Sequence, residues 1–428
     1  SYQRPANLSP TDSRFAEIAD LYYKELTRLY GKSDYYSMDP FHESGNDAAV
    51  DYGKAGEALM SAMKRANPHA IWVIQGWNEN PRPQMIANLK VGDLLVLDLF
   101  SESRQNFKDF CTGENTSGTG KKDFSTSKKE GIYGKHQWLF CLLENFGGNV
   151  GLHGRMDQLL NNFYLATGKK DTPKQENSSL LTLHSSLKGW GFTMEGSENN
   201  PVMFELMSEL PWRAEKITKE DWIREYCYAR YGVHDATIEK AWILLAQSIY
   251  NCPKGNIQQG THESIFCARP SLNSYQVSTW SLMSNYYDPE DTRQAAILLT
   301  SVAEKYQGNN NFEYDLVDIC RQALADQGRK QYLKTMADYK SFSRQEFKKD
   351  SDRFLKMILL QDKLLGTRQE FRLGHWIEEA RNLGKTAEEK DLYEWNARVQ
   401  ITTWGNRICA DNGGLHDYGH KDWQGLLK

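Results

Sequence analysis

Two glutamates stand out by how the chain delivers them. Glu43 closes YSMDPFHE (36–43), where a short aromatic and polar run ends in a carboxylate. Glu195 arrives the same way, far later, in GWGFTMEGSENN (189–200). A pair of carboxyl groups presented at the ends of short apolar segments is what glycoside hydrolysis needs: one protonates the leaving oxygen, the other attacks or stabilises the anomeric carbon. The chain is also rich in stacking side chains, with 12 Trp and 22 Tyr, and such rings cover the apolar faces of sugars. Tyr35, Tyr36, Phe41 and His42 surround Glu43 with groups that stack on sugars or tune a carboxyl. An ordinary surface carboxylate at a strand end is the plainer alternative.

Glu195 has a competing reading too, because Glu198, Glu205 and Glu209 follow it and a charged helix start looks similar. It differs in sitting just before Gly196 at a strand-to-helix junction. Trp77 follows IQG and precedes the polar NEN, which suits a pocket mouth, although the usual fate of Trp is the core. Trp404 is open to the same two readings. Asp98 either binds a sugar hydroxyl or satisfies a buried backbone donor. The ten histidines show no HExxH spacing, and no GxSxG, Walker A or GxGxxG fingerprint opens a helix. FGGNVGLHG and DNGGLHDYG read as tight turns. No cofactor or metal is expected.

The elements that must position these groups alternate. Ser9-Pro10 with Asp12 reads as a helix start, Phe15, Ile18, Tyr22, Leu26 and Leu29 mark one helical face, and Gly31 supplies the stop. After the strand leading to Glu43 come a helix from about Val50 to Arg65, the strand AIWVIQGW (70–77), a short helical or loop piece, and DLLVLDLF (93–100). QWLFCLLENFGG (137–148) and GWGFTMEG (189–196) complete five strands. Nearly continuous apolar runs of strand length read as strands buried on both faces of a parallel sheet, and their alternation with helices implies βα units. Glu43, Trp77, Asp98, Asn145 and Glu195 fall at or near the C-terminal strand ends, where a (β/α)₈ barrel carries its active site. Three more strands would have to precede Ser1.

Past Trp212 the texture becomes helical almost end to end. The expected architecture is therefore α/β followed by all-α, with a barrel portion over 1–210 and a helical domain over 211–428 that contributes to the pocket and is truncated at its C-terminus. The Gly, Ser, Thr and Lys-rich stretch 111–134 reads as a surface loop.

Composition narrows the functional classes. Of 428 residues, 52 Lys+Arg stand against 56 Asp+Glu, a net charge of −4, so no electrostatic footprint for nucleic acid is expected. No apolar run approaches the roughly 20 residues that cross a bilayer, and mean hydropathy is −0.68. Seven widely spread cysteines without a CxxC pair read mostly as buried or idle thiols. Sequons stand at Asn7, Asn115 and Asn177. The opening SYQRPANLSP lacks an initiator Met and any leader, and a signal peptide on a longer parent, secreted, periplasmic or lysosomal, is the expectation.

DPFHE, IWVIQGW, LLVLDLFSES, LLENFGGNVGLHG, GFTMEG, ELPWR, ARYGV, YNCPKG, ARPSL, FEYDLVDICRQAL, GHWIEEAR and ITTWG occur in this order. In order and approximate spacing they resemble the α-N-acetylglucosaminidases of glycoside hydrolase family 89 over nearly the whole chain. The resemblance implies a retaining exo-glycosidase that removes terminal α-linked N-acetylglucosamine from glycoconjugates such as heparan sulfate or mucin-type glycans. It implies a small N-terminal domain, a (β/α)₈ barrel and a helical C-terminal domain. The family's acid/base falls on Glu43, its nucleophile on Glu195, and its pocket residues on His42, Trp77, Phe146, His262, Trp404 and Tyr418. Asn145, beside Phe146, joins them as a substrate-binding candidate.

Two departures accompany the likeness. His42 stands where the lysosomal relatives carry Asn, which puts the contact to the sugar 2-substituent or to the acid in question. The N-terminal domain and first barrel strands are absent, so the expected partners are a carbohydrate and the missing N-terminal portion or an associated chain. Two other classes compete: a carbohydrate-binding relative without hydrolysis, and a helical scaffold in which the part after Trp212 binds a protein.

Overall fold

The computed structural model describes residues 8–42, 50–77, 80–104, 107, 136–144, 151–169, 186–196, 199–253, 264–268, 271–272, 276–278, 281–282 and 284–402. The first part alternates as expected: α1 (Phe15–Tyr30), β1 (Tyr35–Ser37), α2 (Tyr52–Ala66), β2 (Ile71–Gly76), α3 (Pro83–Ile86), β3 (Leu94–Asp98), β4 (Gln137–Leu142), α4 (Met156–Thr167), β5 (Leu187–Phe192) and α5 (Pro201–Glu209). β1 to β5 form one sheet in sequence order, every neighbouring pair parallel. That order is the one successive βα units generate.

The strands are not buried equally on both faces. Tyr36, Trp72, Ile74, Leu94, Val96, Trp138 and Phe140 are buried, while β2 and β3 alternate strictly between buried and half-buried positions. Tyr23 of α1 meets Tyr36 edge-on at 5.2 Å, and Phe163 of α4 meets Phe140 at 5.5 Å, so helices pack on the buried face. Gly56 lets α2 approach α3, since a Cβ there would lie 1.9 Å from the Met85 carbonyl oxygen.

α1 departs from the expectation at its start and on its face. It begins at Phe15, because Ser9 Oγ accepts from Thr11 N and Asp12 Oδ1 from Arg14 N, closing local turns instead of capping a helix at Ser9. The buried residues are Ala19 and Tyr23, whereas Ile18, Tyr22 and Leu29 are 52, 58 and 59% exposed. Gly31, at φ 83°, ends the helix as expected.

The second part comprises α6 (Lys219–Tyr231), α7 (Ala236–Gln247), a small antiparallel pair β6 (Gln276–Ser278) and β7 (Ser281–Leu282), α8 (Pro289–Ser301), α9 (Asn310–Lys340), α10 (Arg344–Leu365), α11 (Leu373–Asn382) and α12 (Ala387–Gln400). Side-chain caps explain the starts: Thr218, Asp235, Asp288 and Asn309 each accept from a first-turn N–H, and Thr386 with Glu389 completes a capping box. The contacts divide the chain into two compact units. One comprises 1–143, 159–193 and 210–216; the other comprises 144–158, 194–209 and 217–428. Among the described residues no helix is long and apolar enough to cross a membrane.

Inside the second unit a charged cluster joins α6 to α9. Asp315, 3% exposed, accepts from Arg230 Nε at 2.5 Å and Nη2 at 2.9 Å and from the Tyr231 hydroxyl at 2.6 Å; Trp242 Nε1 donates to the same hydroxyl. Burial pushes the Asp315 carboxyl up, and the Arg230 guanidinium opposes that. Among the described residues five cysteines are free, and burial raises their thiols, Cys252 and Cys267 to about 11, so none of these five is poised as a thiolate.

Candidate active site

At the end of β1 the chain must leave the sheet to deliver its polar residues. The last backbone bond on this edge is Met38 N to Val73 O at 3.1 Å, and the Trp72 indole donates to Met38 O at 2.7 Å. Asp39 Oδ1 then accepts from Gln75 N at 2.6 Å and from Asn80 Nδ2 at 3.4 Å. Pro40 has no N–H to offer, and Phe41, at φ 59°, turns the chain outward with its ring 5.5 Å from that of Tyr52. Burial raises the Asp39 carboxyl, while the Gln75 amide, nearby His42 and Asn80 pull it back. His42 is half-buried, and its Nε2 is enclosed with no hydrogen-bond partner among the described residues. Glu43, next in the chain, lies outside the described residues.

β2 ends in a tight turn in which Trp77 and Asn80 exchange backbone bonds of 2.9 and 3.1 Å. Asn80 is buried, and its Nδ2 donates to Gln75 O at 2.7 Å. Trp77 is half-buried, with the Arg104 guanidinium 4.6 Å from its ring centroid and Phe100 at 6.3 Å. It is neither a closed core residue nor a free platform.

The ends of β3, β4 and β5 are held together by Asp98 and by residues not singled out from the sequence. Asp98 is fully buried and accepts from Ser101 Oγ at 3.0 Å and Phe107 N at 3.3 Å, so of its two readings the structural one describes these bonds. Glu102 is also fully buried and receives Leu143 N on both oxygens, at 3.2 and 3.3 Å. Asn162 Nδ2 bonds the carbonyls of Ser101 and Glu102, and Thr193 bridges Leu99 O and Leu142 O. The only sequence signal for Glu102 was its place in LLVLDLFSES. A second missed carboxylate, Glu144, is fully buried at φ 60° immediately after β4 and disfavours ionisation of Cys252, Tyr250 and Tyr286.

Glu195 is exposed, in a bend three residues past β5. The later glutamates have structural partners instead: Glu205 pairs with Arg230 at 3.2 Å and Glu209 accepts from the Trp222 indole at 3.0 Å. Asn145, Phe146, His262, Trp404 and Tyr418 lie outside the described residues, as do Glu198 and the stretch 111–134. Of FGGNVGLHG (146–154), residues 146–150 lie outside the described residues; His153 and the neighbouring Arg155 are buried, Arg155 Nη1 meeting His153 Nε2 and His153 Nδ1 meeting Tyr286 Oη, each at 2.8 Å. Among the described residues no group of three or more His, Cys, Asp or Glu is placed to hold a metal ion.

Residues 222–428 match the model of the alpha-N-acetylglucosaminidase (NAGLU) C-terminal domain, and residues 1–214 that of the NAGLU tim-barrel domain. The chain belongs to the alpha-N-acetylglucosaminidase family. The human alpha-N-acetylglucosaminidase is 29% identical over 440 residues, covering 100% of this chain and 53% of that protein. A family 89 glycoside hydrolase from Clostridium perfringens, in complex with 2-acetamido-1,2-dideoxynojirmycin, is 31% identical with a TM-score of 0.81 over 99% of this chain and 44% of its own. A variant of the clostridial enzyme with two glutamates replaced by glutamine, in complex with its substrate GlcNAc-α-1,4-galactose, gives a TM-score of 0.80 at 31% identity. The chain thus spans about half the length of these alpha-N-acetylglucosaminidase-family relatives. Its parallel sheet is that of the family's tim-barrel domain, and its later helices are those of the C-terminal domain.

Proposed function

We propose that this chain carries the two catalytic glutamates of a retaining exo-α-N-acetylglucosaminidase, with Glu43 as acid/base and Glu195 as nucleophile. The observation that carries the proposal is family membership across both halves of the chain, joined to the position of Glu195 in the bend after the last parallel strand. The clostridial relative supports it, since replacing two glutamates gave a protein that could be seen with its substrate bound. Glu43 enters protonated and gives its proton to the glycosidic oxygen as Glu195 attacks C1; Glu43 then activates water and releases α-N-acetylglucosamine. Retention requires the carboxyls about 5–5.5 Å apart, against roughly 6.5–9.5 Å for inversion. Substrates are glycans ending in α-linked N-acetylglucosamine, heparan sulfate and mucin-type glycans included.

The proposal extends to partners. β1 is an edge strand, and Ile18, Leu21, Tyr22, Leu29 and Tyr35 present apolar surface beside it. Further barrel strands, from the same protein or an associated chain, suit that edge. Hydrolysis of an aryl α-N-acetylglucosaminide by the complete protein, followed by NMR of the first-formed sugar, tests the activity. α-N-Acetylglucosamine appearing first supports retention; the β anomer first, or no turnover, rejects the proposal.

A further inference from the structure

Between Ser37 and Phe41 the chain leaves the sheet, held at the point of departure by Met38 N on Val73 O, by the Trp72 indole on Met38 O and by the Asp39 side chain. β1 pairs with β2 only as far as Ser37 opposite Val73, whereas β2 continues to Gly76 in register with β3. Gln75 N–H would therefore lose its partner on the β1 side, where a buried amide without an acceptor costs about 1–3 kcal/mol. Asp39 supplies the acceptor from its side chain, at 2.6 Å. The same oxygen receives Asn80 Nδ2 at 3.4 Å, and that nitrogen also bonds Gln75 O at 2.7 Å. One cluster of Asp39, Gln75 and Asn80 thus ties two turns together: the turn that carries His42 and continues to Glu43, and the turn that carries Trp77. With Pro40 unable to extend the ladder and Phe41 in a left-handed conformation, the Asp39 side chain helps fix the path of residues 39–42 as they leave the sheet.

We infer that Asp39, held by Asn80, is a positioning residue for the hydrolysis, required for proton delivery to the leaving group rather than for binding the sugar. The inference rests on the proposed role of Glu43 as the acid. A misaligned acid has a signature that general loss of structure lacks, because only poor leaving groups need the proton.

The test compares Asp39→Ala, Asp39→Asn and Glu43→Gln in the full-length protein, on alkyl and 2,4-dinitrophenyl α-N-acetylglucosaminides, with melting temperatures recorded for each. Asp39→Ala should lower kcat/KM, which reports the glycosylation step, by about a hundredfold on the alkyl substrate, with kcat/KM on the dinitrophenyl substrate falling less than about tenfold. Asp39→Asn keeps an acceptor oxygen and should stay within about fivefold of wild type on both. Equal losses on the two substrates in Asp39→Ala, or an Asp39→Asn variant as impaired as Asp39→Ala, overturns the inference. Should Asp39→Ala fail to fold, Asn80→Ala takes one donor from the same oxygen and should give a smaller loss with the same leaving-group dependence; an even loss overturns the inference equally. If wild type is active but Glu43→Gln shows no leaving-group dependence, the acid assignment itself has failed and the inference falls with it.

Discussion

Asp315→Leu should be among the most damaging single changes in the second unit, and its size follows from what it strands. The carboxylate receives two guanidinium N–H bonds and one phenol, at 2.5, 2.9 and 2.6 Å. Losing it leaves the Arg230 charge, whose side chain is 10% exposed, and the Tyr231 hydroxyl without their acceptor. Breaking a buried pair by removing one partner costs about 3–5 kcal/mol. Glu205, 41% exposed on its side chain and 3.2 Å from Arg230 Nη1, remains. It pulls the expected cost to the lower end, about 3 kcal/mol. The double change Arg230→Met with Asp315→Leu should recover most of the loss, because the stranded charge then goes too. Urea unfolding of wild type, both single variants and the double variant forms a complete cycle. A loss under about 1 kcal/mol for Asp315→Leu, or a double variant no better than the singles, would refute the claim that the pair is tightly coupled.

Other expectations follow from single groups. Burial lifts the Asp326 carboxyl to about 6 against the Tyr287 and Gln322 bonds that favour its charge. A raised carboxyl favours the fold when protonated, so Asp326→Asn should be more stable than wild type at pH 7, by up to about 3 kcal/mol. That advantage should shrink as pH falls from about 6 to about 4; melting curves over that range check it, and a constant difference refutes it. Asp235 behaves oppositely: burial raises its carboxyl, but Lys305, Tyr306 and the N–H groups of Thr237 and Ile238 outweigh that and hold it at about 2. Asp235→Ala should cost about 1–2 kcal/mol at pH 7, and the gap to wild type should close as pH drops from about 4 to about 2; a gap that persists at pH 2 refutes this. Glu195→Gln should abolish turnover with an unchanged melting temperature, whereas unimpaired turnover would remove it as nucleophile. Trp404→Ala should lower kcat/KM with little loss of stability; a loss of roughly 3–5 kcal/mol with normal kinetics in the folded fraction would make it a core residue.

The alternation of elements was legible because strand-length apolar runs and helical stripes are local signals, and five strands and the long helices after Trp212 lie where those signals stood, although β1 stops at Ser37, six residues short of Glu43. The start of α1 was not, since Ser9 and Asp12 offer the backbone turn bonds as readily as a cap. Nor could the sequence tell which side of α1 is covered, because Ile18 and Tyr22 carry the same apolar pattern as Ala19 and Tyr23. Trp77 and Glu195 lie just past the ends of β2 and β5, where their sequence setting put them. Asp39, Asn80, Glu102 and Glu144 were not: each acts through backbone groups distant in sequence or through burial, and neither leaves a spacing pattern. Asp98, in the same strand-end setting, accepts on Oδ2 from Ser101 Oγ and Phe107 N, bonds between neighbouring backbone segments that leave no spacing pattern.

The interleaved division of the chain bears on how it is made. Residues 144–158 and 194–209 belong with the helices that follow, yet each is synthesised between segments of the strand unit. Gly154 O waits for Cys252 N, Tyr250 O is needed by Met156 N, and Glu205 and Glu209 wait for Arg230 and Trp222. As the chain emerges from the ribosome, these two stretches are displayed for many seconds with their apolar sides, Leu152, Val202, Met203 and Leu206 among them, unsatisfied. These two stretches therefore cannot complete their packing before the helices appear. A cut at Pro211 would sever residues 194–209 from the later helices they belong with.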